Sequence, residues 1–326
     1  MSMTEKKLIS VVGATGSQGG GLVKAILDNP DGQFSVRALT RNAQSATARK
    51  LAAAGAEVVE ADLDDGPSVR RAFEGAHGAF VVTNYWAELS SQAEGVRTRA
   101  ERELAQADSA ARAAKEAGVE HVVWSTLEDT RDFFGDDDRV PTVEERFKVP
   151  HFDAKAEADA LFRQYGVPTT FLRTALFFEG FINSFPPRRG ADGAVSLTLP
   201  IADQPMPGIA VGDIGKTALE LFARGEAYIG KTVSIAGDHL TGEQYAAALS
   251  DALKEQVTYR PMTWDAFRKQ GFPSAVEMGN MFQYYAENSA AFVGARDLAK
   301  VRELNPQLQS FPDWLSLHSG EIAVAD

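Results

Sequence analysis

The chain contains no cysteine, which excludes disulfides, thiolate catalysis and thiol-based redox switching. It also lacks a basic excess. Its 33 lysines and arginines stand against 45 aspartates and glutamates, for a formal net charge of −12. With no basic tail to offset it, that charge argues against direct attraction to nucleic acid or to anionic membranes. No hydrophobic run is long enough to span a bilayer, and the apolar stretch behind the polar Met1–Lys7 is too short for a signal peptide. The expectation is a cytoplasmic protein without membrane contact. Repeats and low-complexity tracts are absent too. What remains is ordinary globular text: 326 residues, 44% hydrophobic and 24% charged. That suffices for a large core divided between two domains.

The most informative stretch is Leu8-Ile-Ser-Val-Val-Gly13-Ala-Thr15-Gly16-Ser17-Gln18-Gly19-Gly-Gly. A short apolar run ends in glycines spaced Gly-x-x-Gly-x-x-Gly, and a helical pattern follows to about Leu27. Gly13 lets the chain turn out of the strand. Gly16, without a Cβ, admits a pyrophosphate to the backbone, and Gly19 lets the helix pack closely on the sheet. The helix N-terminus then offers free N–H groups and the positive end of its dipole. Between a strand and a helix, such a turn predicts dinucleotide binding. An NAD site would place an acid at the end of the second strand, about twenty residues on. Here stand Thr40, Arg41 and Asn42, with no acid before Glu57. Arg41 can grip a 2′-phosphate through two parallel charged hydrogen bonds, with Asn42 and Ser45 as further donors. NADP(H) is the expected cofactor.

Strand-like and helical runs alternate through the first half, the signature of a parallel βαβ sheet. Strands are expected at Leu8–Val12, Val36–Leu39, Glu57–Glu60, Ala79–Thr83, His121–Trp124 and Thr169–Arg173. Helices should fill Ala43–Ala54, Gln92–Ala117 and Phe152–Tyr165. The fold class is therefore α/β: a Rossmann doubly wound sheet over residues 1–175, then a smaller mixed α/β domain over 176–326. Strand 231–236 and helix 211–224 are expected to pack back onto the first domain. Glu128–Pro150, rich in alternating Asp and Arg, reads as a long exposed loop of the kind that forms lids. Its Asp136–Asp138 run reads as a solvated tip, and no metal is expected.

Ligands of such sheets lie beyond the carboxyl ends of the strands. That rule collects Gly13–Gly19, Arg41, Asp62 and Leu63 by the adenine, and Thr83, Asn84 and Tyr85 by the ribose and pyrophosphate. Ser125 and Thr126 follow the fifth strand. His151-Phe-Asp-Ala-Lys155 occupies the place where short-chain dehydrogenases carry Tyr-x-x-x-Lys. There the tyrosine moves the proton and the lysine lowers its pKa while binding the nicotinamide ribose. Lys155 is present, but His151 replaces the phenol. An imidazole can act as an acid, so Lys155 and His151 are the candidate catalytic residues.

With Gly13-Ala-Thr-Gly-Ser-Gln-Gly19-Gly, Thr40-Arg41-Asn42, Val82-Thr-Asn-Tyr-Trp86, His151-Phe-Asp-Ala-Lys155, Phe178-Glu179 and Asn280-Met-Phe-Gln-Tyr-Tyr-Ala286, the chain resembles the NmrA-like family of atypical short-chain dehydrogenase/reductase proteins over nearly its whole length. It looks most like the HSCARG-type NADP(H) redox-sensor branch. The resemblance implies cofactor contacts at Gly13, Thr15, Gly16, Ser17, Gln18, Arg41, Asp62, Thr83, Asn84, Tyr85, Lys155, Phe178 and Glu179. It also implies a cofactor-dependent change of conformation, with room for a protein partner or a homodimer. Two departures stand out: Ser45 where that branch carries a further basic residue, and a longer Glu128–Pro150 segment. Two functions follow. One is an NADP(H) sensor or regulator without the catalytic tyrosine. The other is an NADPH-dependent reductase of a small quinone, carbonyl or imine. Packing of Phe177, Phe178, Phe181, Phe185, Tyr284 and Tyr285 bears on the choice. An open aromatic pocket favours the enzyme and a closed core the regulator.

Overall fold

A computed structural model describes residues 6–87 and 96–325. By internal contacts the chain divides into two compact units. The first holds the described residues up to Asp129 together with His151–Arg173 and Ile214–Val233. The second holds Thr130–Pro150, Thr174–Asp213 and the chain from Ser234 onward.

The first unit is built on a seven-stranded sheet. Its strands are β1 (Lys7–Val11), β2 (Phe34–Thr40), β3 (Glu57–Glu60), β4 (Gly78–Val81), β5 (His121–Thr126) and β6 (Thr169–Arg173). They run in the order β3-β2-β1-β4-β5-β6, with Thr232–Ser234 beyond β6 at the edge. Each neighbouring pair among β1–β6 is parallel. The order reverses beside β1, as in the doubly wound nucleotide-binding fold, and the expected Rossmann sheet is present. Helices α1 (Ser17–Leu27), α2 (Ala46–Ala53), α3 (Gly66–Phe73), α4 (Arg99–Ala117), α5 (Pro150–Gln164) and α6 (Val211–Arg224) connect or flank the strands.

Central strands buried on both faces explain the continuous apolar runs. All six residues of β5 and all four of β4 are buried. The alanines of α4 fill one core with Val69, Phe73, Val81, Trp124 and Phe162, because a small side chain lets the helix lie close on the sheet. Thr98 and Glu101 form a capping box at its start, and Gly118 ends it at φ 68°. The helix thus begins at Arg99; the earlier part of the expected Gln92 start lies outside the described residues. Gly215 of α6 packs backbone to backbone on α1, since a Cβ there would overlap Gly21 and Leu22.

The second unit carries two three-stranded sheets. One joins Leu176–Phe177, Met206–Ile209 and Asp238–Leu240; the other joins Arg188–Arg189, Val195–Leu197 and Val257–Tyr259. Its core is aromatic: Phe181, Tyr245 and Phe311 have ring centroids 4.8–5.0 Å apart.

The reading of Glu128–Pro150 as an exposed loop needs correction. Arg131–Phe134 is a helical turn, and Phe134, Val140, Phe147 and Val149 are buried. Asn280, fully buried on helix Ala275–Glu287, donates from Nδ2 to the carbonyls of Pro141 (2.8 Å) and Lys148 (2.6 Å). The Lys148 ammonium donates to the Asp137 and Val140 carbonyls. Within the acidic run Asp137 is paired, with Arg139 bridging it to Glu287, while Asp136 and Asp138 are exposed. These bonds hold Asp137 below the usual carboxylate range. Among the described residues no cluster could hold a metal ion, and no helix is long and apolar enough to cross a membrane.

Candidate functional site

The turn after β1 has the shape its glycines suggest. Gly13 sits at φ +66°, and the Gly16 N–H donates to its carbonyl at 2.8 Å. A Cβ on Gly19 would lie 2.5 Å from the Gly13 oxygen and 2.6 Å from the Val12 oxygen. No side chain there can be accommodated, and α1 starts directly against the turn. Gly16 is the N-cap of α1 and supplies no capping side chain, and no acid lies in the first turn. Thr15, Gly16 and Ser17 are exposed. An uncapped helix start with accessible N–H groups is suited to an anion.

The remaining sequence-derived candidates of this unit follow the carboxyl ends of successive parallel strands. Arg41, just past β2, is exposed and makes no hydrogen bond or ion pair to the described residues. Asn42 and Ser45 are partly occupied: Asn42 Oδ1 accepts from the Gln44 N–H, and Ser45 Oγ caps α2 by accepting from the Ala48 N–H. Past β3, the Asp62 carboxylate accepts from the Asp64 N–H, while Leu63 packs against the core. Past β4, Asn84 Oδ1 accepts from the Trp86 N–H at 3.1 Å, and Tyr85 is buried. Ser125, at the end of β5, donates to Gln18 Oε1 at 2.7 Å, fixing the side chain of a glycine-turn residue. The Thr126 hydroxyl turns to the Lys155 carbonyl at 3.2 Å.

On α5 the two catalytic candidates differ in surroundings. The His151 ring is buried among aromatic rings, with centroids 4.9 Å from Trp86, 5.0 Å from Phe152 and 5.8 Å from Tyr85. Trp86 itself is 43% exposed. Lys155 is buried and fully engaged. Its Nζ lies 2.9 Å from Glu103 Oε1, 2.6 Å from Thr83 Oγ1 and 3.2 Å from the Thr83 carbonyl. The Thr83 hydroxyl passes its own proton to Glu103 Oε1 at 2.6 Å. The three N–H bonds of an ammonium match these three acceptors. The Lys155 charge also lies 5.2 Å from the centre of the Trp124 ring.

Glu103 escaped the sequence reading. It lies on the same stripe of α4 as Ala100, Ala107, Ala110 and Ala114, all buried. A carboxylate in an otherwise alanine stripe was the available signal. One helical turn beyond Lys155, burial raises Asp159 to about 6, against hydrogen bonds from Thr126 and Trp124 and the charges of Arg173 and Arg163.

Phe178 and Glu179 belong to the second unit. Phe178 is fully buried, its ring 5.0 Å from Phe311 and 5.8 Å from Trp314. Both carboxylate oxygens of Glu179 accept from the Val211 N–H at 3.1 Å, at the start of α6. Burial raises its pKa. Phe181, Tyr284 and Tyr285 are likewise buried.

Comparison with known proteins gives the family. An NmrA-like family domain-containing oxidoreductase of Aspergillus campestris is 30% identical over 89% of this chain and 85% of its own. Another, from Aspergillus flavus, is 28% identical over 90% of this chain and 87% of its own. Among solved structures, NmrA, a negative transcriptional regulator, superposes with a TM-score of 0.75 at 25% identity. That match covers 96% of this chain and 95% of NmrA, which has been solved in complex with NADP and also with NAD. The model of the NmrA-like family matches residues 5–315, and the chain belongs to that family.

Proposed function

We propose that this protein binds NADP(H) and acts as a cofactor-dependent regulator, close to the redox-sensor branch of its family, rather than as an efficient dehydrogenase. The residues of the first unit fit the cofactor. Gly16 leaves the backbone of the turn bare, α1 offers an uncapped N-terminus, and Arg41 has no competing partner among the described residues. Gly13, Thr15, Gly16, Ser17, Gln18 and Gly19 would hold the pyrophosphate, Arg41 the 2′-phosphate, and Asp62 with Leu63 the adenine. Thr83, Asn84, Tyr85 and Lys155 would meet the ribose and nicotinamide side. Phe178 and Glu179 enter the reading only through the family resemblance.

The observation that carries the regulatory reading is the state of Lys155. All its N–H bonds are directed at Glu103 and Thr83, and the phenol it would serve is replaced by His151. Lysine tuning of a tyrosine acid therefore lacks its phenol, and its lysine is turned to other partners. Burial of Phe178, Phe181, Tyr284 and Tyr285 supports the same side, since packed rings leave no room for a substrate among themselves, while Phe177 and Phe185 stay partly exposed.

A second reading keeps a specific foothold. His151 lies beside the exposed Trp86, and curated relatives are named oxidoreductases. In that case NADPH supplies hydride to a small quinone, carbonyl or imine, and His151 gives the proton. Calorimetric titration with NADPH and NADH, paired with an NADPH-oxidation screen of quinones, aldehydes and imines, separates the two. The regulator binds NADPH more tightly than NADH and shows no turnover above background. Robust turnover that falls by about 10²–10⁴ in His151→Phe would establish the reductase instead.

A further inference from the structure

We propose that Glu103 is the positioning residue of the cofactor site. It holds Lys155 as a fixed anchor against Thr83 at the carboxyl end of β4, so that a bound nucleotide meets a side chain already oriented. The inference rests on the NADP(H) reading above. Three observations join in it. First, the Glu103 side chain is 1% exposed and that of Lys155 9%, so the pair has little water to screen or replace it. A buried charge persists only when paired and hydrogen-bonded. Second, the bonds form a closed set. Glu103 Oε1 accepts from both the Thr83 hydroxyl and the Lys155 ammonium, and Thr83 accepts from Lys155 at its hydroxyl and its carbonyl. The hydroxyl can accept from Lys155 only because its own proton goes to Glu103, so the carboxylate orders both partners. Third, Glu103 Oε2 is buried with no hydrogen-bond partner among the described residues. A carboxylate kept in such a place purely for packing would be replaced at no loss by an apolar residue. Its cost is offset only by what Oε1 does for Lys155.

The charged groups around the ammonium are few. Glu103 faces it from α4, the Trp124 ring lies beside it on β5, and Asp159 and His151 stand one turn away along its own helix. Asp159 is raised to about 6 by burial, below the range from pH 7 to 9.5. In Glu103→Gln the Lys155 ammonium would lose its buried counter-charge, and burial disfavours a charge left without one.

The test is the pH profile of NADPH binding in Glu103→Gln, with Glu103→Asp as the variant that keeps the charge. Wild type should bind NADPH with an affinity that varies less than about twofold between pH 7 and 9.5. Glu103→Gln should lose about tenfold or more over that range. Glu103→Asp should keep the flat profile at a lower overall affinity. A Glu103→Gln protein that folds and retains the wild-type profile would overturn the proposal. Should Glu103→Gln not fold, a cofactor-free cycle decides. The double variant Glu103→Gln/Lys155→Met should then fold with a higher unfolding midpoint than Glu103→Gln, because removing both charges costs less than stranding one. A double variant no more stable than the single one would also overturn it. Wild type that binds neither NADPH nor NADH would end the cofactor reading, whereas the cycle would still score the pair.

Discussion

Two buried groups of the first unit should make its stability nearly indifferent to mild acid, for opposite reasons. His121, at the start of β5, is lowered from 6.5 to about 4 by burial, with the charge of His77 adding to it. Its Nε2 lies 2.8 Å from Thr170 Oγ1, whose proton goes to the Tyr228 carbonyl, so Nε2 is the donor. Nδ1 is buried without a partner among the described residues, and protonating it would strand a charge. Above pH 6.5 the ring is neutral folded or unfolded. As pH falls towards 4 the unfolded chain takes up a proton that the folded state refuses, and stability drains away. Asp159 runs the other way. Its folded value of about 6 exceeds the ordinary 3.8, so the folded state holds the proton more tightly. The penalty of a buried carboxylate is complete above pH 6 and fades as pH falls towards 4. Each displacement of roughly two units corresponds to about 3 kcal/mol. Across pH 6.5 to 4 the two effects oppose and largely cancel.

Single substitutions should separate them. Asp159→Asn keeps an oxygen for the Trp124 indole, which donates to Asp159 at 2.9 Å, and removes the penalty. It should exceed wild type by up to about 3 kcal/mol at pH 8 and lose that advantage by about pH 4.5. His121→Gln keeps a donor for Thr170 and should grow more stable, relative to wild type, over the same acidification. Urea unfolding at half-unit steps from pH 8 to 4.5 measures both slopes, and all other titrations are shared by the three proteins. Parallel pH profiles for wild type and both variants would refute the reasoning.

Three further outcomes are expected. Gly19→Ala puts a methyl 2.5 Å from a backbone oxygen that has no rotamer to yield. It should cost about 1–3 kcal/mol in urea unfolding, and an unchanged midpoint would contradict the close packing of α1. Arg41→Ala should weaken NADPH binding by about 1.5–3 kcal/mol and leave NADH nearly untouched. Equal losses in calorimetry would show that Arg41 does not read the 2′-phosphate. Asn280→Ala removes both amide bonds to the 130–150 segment. Limited proteolysis should then cut between residues 136 and 147 faster than in wild type, and an identical digestion pattern would argue against that anchor.

What the sequence made legible was whatever local chemistry enforces. The βαβ alternation was readable because central strands are buried on both faces and helices stop at glycines such as Gly118. The glycine turn was readable because Gly13 takes a positive φ and Gly19 leaves no room for a Cβ. Ser45 has a second use that the sequence also allows: a serine just before a helical run can cap it through its oxygen, and here it caps α2. The 130–150 segment hid its buried residues among charges. Phe134, Val140, Phe147 and Val149 follow no helical or strand period, and their burial depends on Asn280, far along the chain. Glu103 was hidden for the same reason. Helical spacing places it on the buried alanine stripe, but a glutamate there makes sense only once the distant Lys155 is seen.

The interleaving of the two units has a consequence for the nascent chain. Until Thr232–Ser234 emerges from the ribosome, β6 is the outer strand of the parallel sheet, with one row of backbone groups unpaired. Helix α6, whose Gly215 seats against Gly21, arrives just before it. A polypeptide halted near residue 175 would hold the glycine turn and five strand pairings, yet present an open edge to its neighbours. Sheet closure must wait for Thr174–Asp213 to be made first. Such late, long-range pairing is slow and exposed to aggregation. Chaperone demand during synthesis should therefore peak between those two points.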